Sequence, residues 1–138
     1  MQLRGEVDYP TFATELYYEY ERWKRYPGRP SRLQCFLGMV SVEDAIALAF
    51  VQGGGHVYEG RCEKPAYVGD RNALRMAFGG ADLTDNVAQY WEGRPLDSDY
   101  NYSPRWECLV ACPVEIVREV RLNPADWRVP AGLVVRTA

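Results

Sequence analysis

The residue with the clearest chemical potential in this sequence is Glu107, near the start of the apolar run WECLVACPVEIVREV. An aromatic, turn-rich loop, RPLDSDYNYSPR, directly precedes that run. Burying an ionised carboxylate without partners costs several kcal/mol, so a strand rarely begins with one by accident. Glu107 is therefore the first candidate functional residue, and the alternative is a solvated residue at a strand edge.

Two further polar residues stand at or near predicted strands. Arg4 lies in QLRGEV, a predicted first strand, and Ser31 opens RPSRLQCFLGMV, in which Leu33 to Val40 is predicted to be a buried strand. Each has a structural alternative, because an arginine at a strand end often forms a surface ion pair and a serine after proline often lies in a turn. A functional interpretation requires Arg4, Ser31 and Glu107 to converge on one cleft.

Helices that would position these residues are indicated by apolar periodicity. A first helix is predicted from Thr11 to the stop at Pro27-Gly28, with a single stripe made of Phe12, Leu16, Tyr20 and Trp23. Three more are predicted over Val42 to Val51 after the N-cap residue Ser41, over Asn72 to Phe78, and over Leu83 to Trp91 before Gly93. Tyr90 and Trp91 are interpreted as core residues.

Strands are predicted from alternation and from short apolar runs. Residues 56 to 63 alternate, with Val57, Glu59 and Arg61 on one face and Tyr58, Gly60 and Cys62 on the other. The chain is predicted to be irregular after Pro65, and later strands are predicted at Trp106 to Ala111, Val114 to Leu122 and Leu133 to Arg136. The whole chain, 1–138, is therefore expected to be one α+β domain with a mixed, mostly antiparallel, split sheet and two to three helices.

Charge and cysteine usage narrow the classes of function. A net charge of −3 argues against strong non-specific nucleic-acid binding, although a basic stretch from Arg22 to Arg32 keeps a nucleic-acid binder open as an alternative. The sequence has no segment of ~20 apolar residues, so we expect no membrane partner. The four cysteines contain no CxxC pair and His56 is the single histidine, so we expect no metal and interpret the cysteines as core residues in a reducing cytoplasm.

An arginine, a serine and a glutamate on three strands, in that order, resemble the Arg-Ser-Glu pattern of the ADP-ribosyltransferase superfamily. SVEDAIALAF and HVYEGRC resemble a helix and an edge strand of the family, and ECLVACPVEIV resembles the stretch around the catalytic glutamate of some bacterial and phage-like members, including DNA-modifying toxins. The resemblance implies an NAD-dependent mono-ADP-ribosyltransferase or NAD glycohydrolase. It implies a toxin or effector that acts in the cytoplasm of its own cell or of a target cell, with an inhibitor or immunity partner as a further expectation.

The resemblance also implies residue roles. Glu107 would stabilise positive charge on the ribose as nicotinamide leaves, Arg4 would contact the NAD diphosphate or ribose, and Ser31 would fix the nicotinamide-ribose side. The same resemblance places two groups of contacts, which are Arg32, Phe36 and Tyr58 on NAD, and Tyr100, Tyr102 and Trp106 on the acceptor.

Departures from the family pattern leave alternatives open. Arg105 stands two residues before Glu107, where arginine-directed members carry a glutamate, so the protein or nucleic-acid acceptor is not specified. Arg29 or Arg32 is an alternative to Arg4 as the NAD-binding arginine. A non-enzymatic module that binds a protein partner through the aromatic loop 94–106 is the second interpretation.

Overall fold

A computed structural model of the protein describes residues 9–51, 56–74, 83–96, 103–120 and 134–137. The described helices are α1 (Tyr9–Arg25), α2 (Val42–Val51) and α3 (Leu83–Glu92), with 3-10 turns at Arg32–Gln34 and Arg71–Ala73. The described strands are β1 (Phe36–Met39), β2 (Val57–Cys62), β3 (Tyr67–Asp70), β4 (Trp106–Val110), β5 (Glu115–Val120) and β6 (Val134–Thr137). The predicted first strand around Arg4 and residues 75–78 of the predicted short helix lie outside the described residues, whereas residues 72–74 lie in or just after the second 3-10 turn.

The six described strands form one mixed sheet in the order β3-β4-β1-β6-β2-β5. β4 pairs antiparallel with both β3 and β1, and β2 pairs antiparallel with β5. β6 pairs parallel with both β1 and β2 and so joins the two antiparallel groups. This arrangement confirms the predicted α+β class with a mixed, mostly antiparallel sheet.

Helix α1 forms where the sequence predicts it, but its apolar stripe faces outward. Phe12, Leu16, Tyr20 and Trp23 are between 46% and 70% exposed. The buried positions of α1 are instead Thr14, Tyr18 and Glu21. Apolar periodicity identifies the helix correctly, but it does not identify the buried face, because the buried side chains are a tyrosine and two polar residues.

An aromatic core holds α1 and α3 on one face of the sheet. Trp91 and Tyr90 are fully buried, which confirms their interpretation as core residues, and their rings meet edge to face at 4.8 Å between centroids. The Trp91 indole donates a hydrogen bond of 3.0 Å to the carbonyl of Tyr18, and the Tyr18 hydroxyl donates to the carbonyl of Ala73. The Trp91 bond therefore links α3 to α1, and the Tyr18 bond links α1 to the second 3-10 turn.

The predicted buried strand from Leu33 to Val40 is wrong in its first half and in its burial. Residues 32–34 form a 3-10 turn, and β1 begins only at Phe36. Most of the large apolar residues of this segment are exposed, whereas Met39 of β1 and the preceding Arg32 are buried. The exposed residues are Leu33, Phe36, Leu37 and Val40.

Two further strand predictions need correction. The segment after Pro65 is not irregular, because Tyr67–Asp70 forms β3 against β4. In β2 the register of pairing with β5 shifts between Glu59 and Gly60. The predicted alternation of faces therefore fails, and Val57 is buried together with Gly60 and Cys62. None of the helices in the described part of the chain is long and apolar enough to cross a membrane.

Candidate functional site

Glu107 is a buried carboxylate in the middle of a three-stranded part of the sheet. Its side chain is 1% exposed, and its backbone pairs with Met39 of β1 and Gly69 of β3. A Cβ atom added at Gly69 would lie only 2.8 Å from the Tyr90 ring. The glycine therefore leaves the space through which Tyr90 of α3 reaches across the sheet to Glu107.

Three side chains hydrogen-bond to the Glu107 carboxylate. The Tyr90 hydroxyl donates to Oε1 at 2.8 Å, and Arg32 Nη1 donates to the same oxygen. Arg71 Nη1 donates to Oε2 at 2.6 Å. The buried carboxylate is thus compensated by two guanidinium groups, which favour its ionised form. The alternative of a solvated edge residue is wrong.

Arg32 is held in place from the other side by α1. Its Nε and Nη2 donate to the two carboxylate oxygens of Glu15, each at 2.8 Å, which is the strong bidentate geometry of an arginine–carboxylate pair. Arg32 Nη1 also donates to the Tyr90 hydroxyl at 2.7 Å. Burial alone would lower the pKa of Arg32, but its hydrogen bonds and charge interaction with Glu15 outweigh that effect and raise the pKa above the ordinary value. Arg32 is therefore a fixed cation behind Glu107.

Arg71 differs from Arg32 because it reaches solvent. Its side chain is 28% exposed, against 2% for Arg32. Burial, and then the positive charge of Arg32, lower the pKa of Arg71 from its ordinary value. Among the side chains that contact Glu107, Arg71 is the one that is partly exposed to solvent.

A cavity of about 390 Å³ opens beside Arg71, within the size range of about 300–1,000 Å³ that is usual for small-molecule sites. Two arginines, one carboxylate and one amide provide its polar lining, and three apolar side chains provide the rest. The lining residues are Met39, Asp44, Leu48, Arg71, Asn72, Leu74 and Arg105. Arg105 lies 3.9 Å from Asp44, so two guanidinium groups and one carboxylate give the lining a net positive charge. With its apolar groups, such a cavity suits a ligand that has both an anionic and an apolar part.

Asp70 fixes the backbone around this cavity. Its buried carboxylate accepts hydrogen bonds from the backbone amides of Asn72 and Arg105, both at 3.0 Å, and of Leu96 at 2.8 Å. The amide of Arg71 also donates to the carbonyl of Arg105 at 2.8 Å. The two cavity arginines therefore stand on neighbouring, well-anchored backbone.

The residues predicted from the sequence are only partly brought together. Arg32 contacts Glu107 directly, and Ser31 precedes it, where the serine side chain accepts a hydrogen bond from the amide of Leu33 and caps the 3-10 turn. Trp106 is half-buried at the start of β4. Phe36 and Tyr58 are exposed, and neither belongs to the described residues that line the cavity. Arg4, Tyr100 and Tyr102 lie outside the described residues.

Sequence reasoning missed several members of the site. Tyr90 was interpreted only as core, and Arg71, Asp70 and Glu15 were given no role. The available signal was the run of polar residues Asp70-Arg71-Asn72 at the end of the apolar YVG segment. Because YVGD was not predicted to be a strand, these polar residues were not expected to lie at the end of a strand beside Glu107.

No group of three or more histidine, cysteine, aspartate or glutamate side chains in the described ranges is arranged to hold a metal ion. Comparison of the chain with protein-family models, with curated proteins and with solved structures gives no match.

Proposed function

We propose that this protein binds NAD in the cavity beside Glu107 and transfers its ADP-ribose to a protein or nucleic-acid acceptor, releasing nicotinamide. The observation that carries the proposal is a buried carboxylate, oriented by Tyr90 and Arg32, that is separated from an arginine-lined cavity by one guanidinium. If water replaces the acceptor, the same site is an NAD glycohydrolase.

The chemistry requires a fixed negative charge. The bond between the ribose C1′ and the nicotinamide nitrogen breaks, its electron pair leaves with nicotinamide, and positive charge develops on the sugar. Glu107 stabilises that charge, and an acceptor nucleophile then attacks C1′ and loses its proton. A carboxylate held by pre-formed hydrogen bonds is effective here because it does not have to reorganise during the reaction.

The lining of the cavity matches the other parts of NAD. Arg71 and Arg105 can form charge-assisted hydrogen bonds with a diphosphate. Met39, Leu48 and Leu74 offer apolar surface to a ring. We therefore propose that Arg71 and Arg105 bind the diphosphate, in addition to Arg4, which the sequence suggested for this role.

The test is nicotinamide release from NAD by wild-type protein and by Glu107→Gln. We expect the substitution to reduce the rate by about 10²–10³, because the charge that stabilises the transition state is lost. NAD affinity, measured by calorimetry, should change much less than the rate does.

Glu119→Gln is the matched control, since Glu119 is an exposed carboxylate on β5 and should leave the rate unchanged. Thermal unfolding of each variant separates loss of fold from loss of chemistry. A wild-type protein that neither binds NAD nor releases nicotinamide contradicts the proposal.

The finer features of this function belong to the same proposal. Trp106, with Tyr100 and Tyr102 of the preceding loop, is proposed to contact the acceptor. All four cysteines are free thiols, which is consistent with action in a reducing cytoplasm, either that of the producing cell or that of a cell into which a toxin or effector is delivered.

A second candidate is a module that binds a protein partner without catalysis, and one observation favours it. The exposed row Phe12, Leu16, Tyr20 and Trp23 gives α1 an apolar outer surface of the kind that often marks an interface. This row, rather than the loop 94–106 expected from the sequence, would then be the contact surface. For such a module neither wild-type protein nor Glu107→Ala binds NAD, and partner binding is lost in Trp23→Ala.

A further inference from the structure

The two oxygens of the Glu107 carboxylate have different surroundings. Oε1 is bound by Tyr90 and Arg32, which are both inside the core. Oε2 is bound by Arg71, the described partner of this oxygen and the one that also lines the cavity. Arg71 is therefore the described residue that contacts both Oε2 and the cavity.

The charges around Glu107 balance one another. Glu15, Arg32, Glu107 and Arg71 alternate in sign along a continuous line of ion pairs. If the Arg71 side chain moves away, Glu107 still keeps a guanidinium and a hydroxyl on Oε1. Arg71 can thus leave without stranding an uncompensated buried charge.

Arg71 is also placed so that its side chain can move while its backbone stays. Its amide is hydrogen-bonded to Arg105, and the 3-10 turn that contains it is capped by Asp70. Burial and the nearby Arg32 lower the pKa of Arg71 from its ordinary value, although the guanidinium remains a cation. An anion in the cavity offers this guanidinium a second set of charge-assisted hydrogen bonds.

We propose that Arg71 is a displaceable cap on Glu107, which a diphosphate entering the cavity draws away from Oε2, so that this oxygen becomes free for a ligand hydroxyl. The inference rests on the proposed function for the identity of the ligand, which is NAD. It adds that the diphosphate itself exposes the carboxylate, so that Glu107 is masked until a phosphate-bearing ligand is bound. Arg71 is in this sense a positioning and specificity residue.

Inorganic pyrophosphate is the probe for the displacement. In protein labelled with ¹³C at glutamate carboxyls, the Glu107 resonance is assigned by its loss in Glu107→Gln. We expect saturating pyrophosphate to shift this resonance in wild-type protein, because Oε2 loses a guanidinium. In Arg71→Met we expect the affinity for pyrophosphate to fall at least tenfold and the Glu107 resonance to stay in place.

Two controls separate displacement from simple loss of positive charge. Arg105→Met should also weaken pyrophosphate binding, but its Glu107 resonance should still shift at saturation, because Arg71 remains. Arg94→Met, which removes an exposed arginine that pairs with Glu92 outside the cavity, should change neither quantity.

A kinetic comparison connects the cap to catalysis. Wild-type protein should release nicotinamide from NAD far faster than from nicotinamide riboside, which carries no diphosphate. Arg71→Met should lose at least tenfold in kcat/KM with NAD while cleaving the riboside as fast as wild type or faster, since its Oε2 is already uncovered.

The outcomes distinguish the cap from the proposed function. A wild-type Glu107 resonance that does not respond to pyrophosphate, or unchanged pyrophosphate affinity in Arg71→Met, overturns the cap even where nicotinamide is released from NAD. A clear pyrophosphate shift without any nicotinamide release supports the cap and contradicts the transferase. If Arg71→Met fails to fold, the titration of wild-type protein alone decides.

Discussion

Tyr90 joins the aromatic core to the candidate site through a single hydroxyl. That hydroxyl accepts a hydrogen bond from Arg32 and donates one to Glu107, so its proton has a fixed direction. Burial raises the pKa of Tyr90 to about 12, against the opposing effect of Arg32. The hydroxyl therefore remains a donor to Glu107 at every physiological pH.

Tyr90→Phe tests this assignment. At neutral pH we expect the free energy of unfolding to fall by about 1–3 kcal/mol, because a buried carboxylate and a buried guanidinium each lose a partner. The folded-state pKa of Tyr90 lies above the value of about 10 of an unfolded tyrosine, so its stabilising contribution is present below pH ~10 and is lost as the pH rises towards 12. Urea unfolding at pH 7 and pH 11 should therefore show the gap between wild type and variant narrow by about 1 kcal/mol.

Tyr20→Phe is the control for that experiment, since Tyr20 is exposed on the outer face of α1. It should leave both the stability and its pH dependence close to those of wild type. A gap between wild type and Tyr90→Phe that is constant from pH 7 to pH 11 would contradict the assignment.

At the residue scale the sequence identified Glu107 and, among its alternatives, Arg32. It could not identify Arg71 or Tyr90, whose roles come from contacts with Glu107 across 36 and 17 positions of the chain. Nothing local distinguishes a tyrosine that fills a core from one that also directs a proton. The sequence therefore predicted the charged residue at the start of an apolar strand, but it did not predict the hydrogen-bond network around that residue.

Among the elements, β3 decides how closely α3 approaches the sheet. Gly69 faces the Tyr90 ring, and a Cβ atom there would lie 2.8 Å from Tyr90 and 3.1 Å from the Tyr67 ring. Both rings are buried, so neither can move aside cheaply. A side chain at this position would push α3, and with it the Tyr90 hydroxyl, away from Glu107.

Gly69→Ala should therefore destabilise the protein by about 1–3 kcal/mol, the usual range for overpacking a core. The matched control is Gly28→Ala, because a Cβ atom at Gly28 meets no atom within 4 Å. Chemical denaturation of the two variants gives the comparison. Equal stability of Gly69→Ala and Gly28→Ala would show that the approach of α3 to β3 is looser than described.

The elements themselves were predicted unevenly, for physical reasons. The helices at 42–51 and 83–92 and the late strands were indicated by caps, glycine stops and apolar runs, and the structure confirms them within a few residues. β3 was missed because it has only four residues, one of them a glycine, whose fit depends on Tyr90. The strand at 33–40 was overextended because apolar residues such as Leu33 and Phe36 indicate burial, whereas they are exposed and the preceding Arg32 is buried against Glu107.

For the whole molecule, the important feature is that β6 lies between two antiparallel groups of strands. β3, β4 and β1 carry the candidate site, whereas β2 and β5 form the second group. β6 pairs with β2 at four positions and with β1 at one. Continuity of the sheet through the described residues thus depends on a four-residue strand close to the C-terminal end of the sequence.

Deletion of residues 134–138 should consequently cost several kcal/mol of stability, since inner edges of β1 and β2 lose their hydrogen-bond partners. Deletion of Ala138 alone is the control, because it leaves β6 (Val134–Thr137) intact. Thermal unfolding should show a large decrease in Tm, or loss of a single transition, for the longer deletion only. An unchanged Tm would mean that the two antiparallel groups are held together by other contacts.

The Glu15–Arg32 pair has a consequence for how the protein opens. Glu15 belongs to the N-terminal helix, whereas Arg32 is bound to a carboxylate in a strand more than seventy positions later. Separation of that helix from the sheet would break the ion pair between Glu15 and Arg32. The partly buried groups would then lose a counter-charge, so such partial opening is energetically costly. We expect the first helix and the central strands to exchange their amide hydrogens as one cooperative unit, rather than by fraying from the N-terminal side.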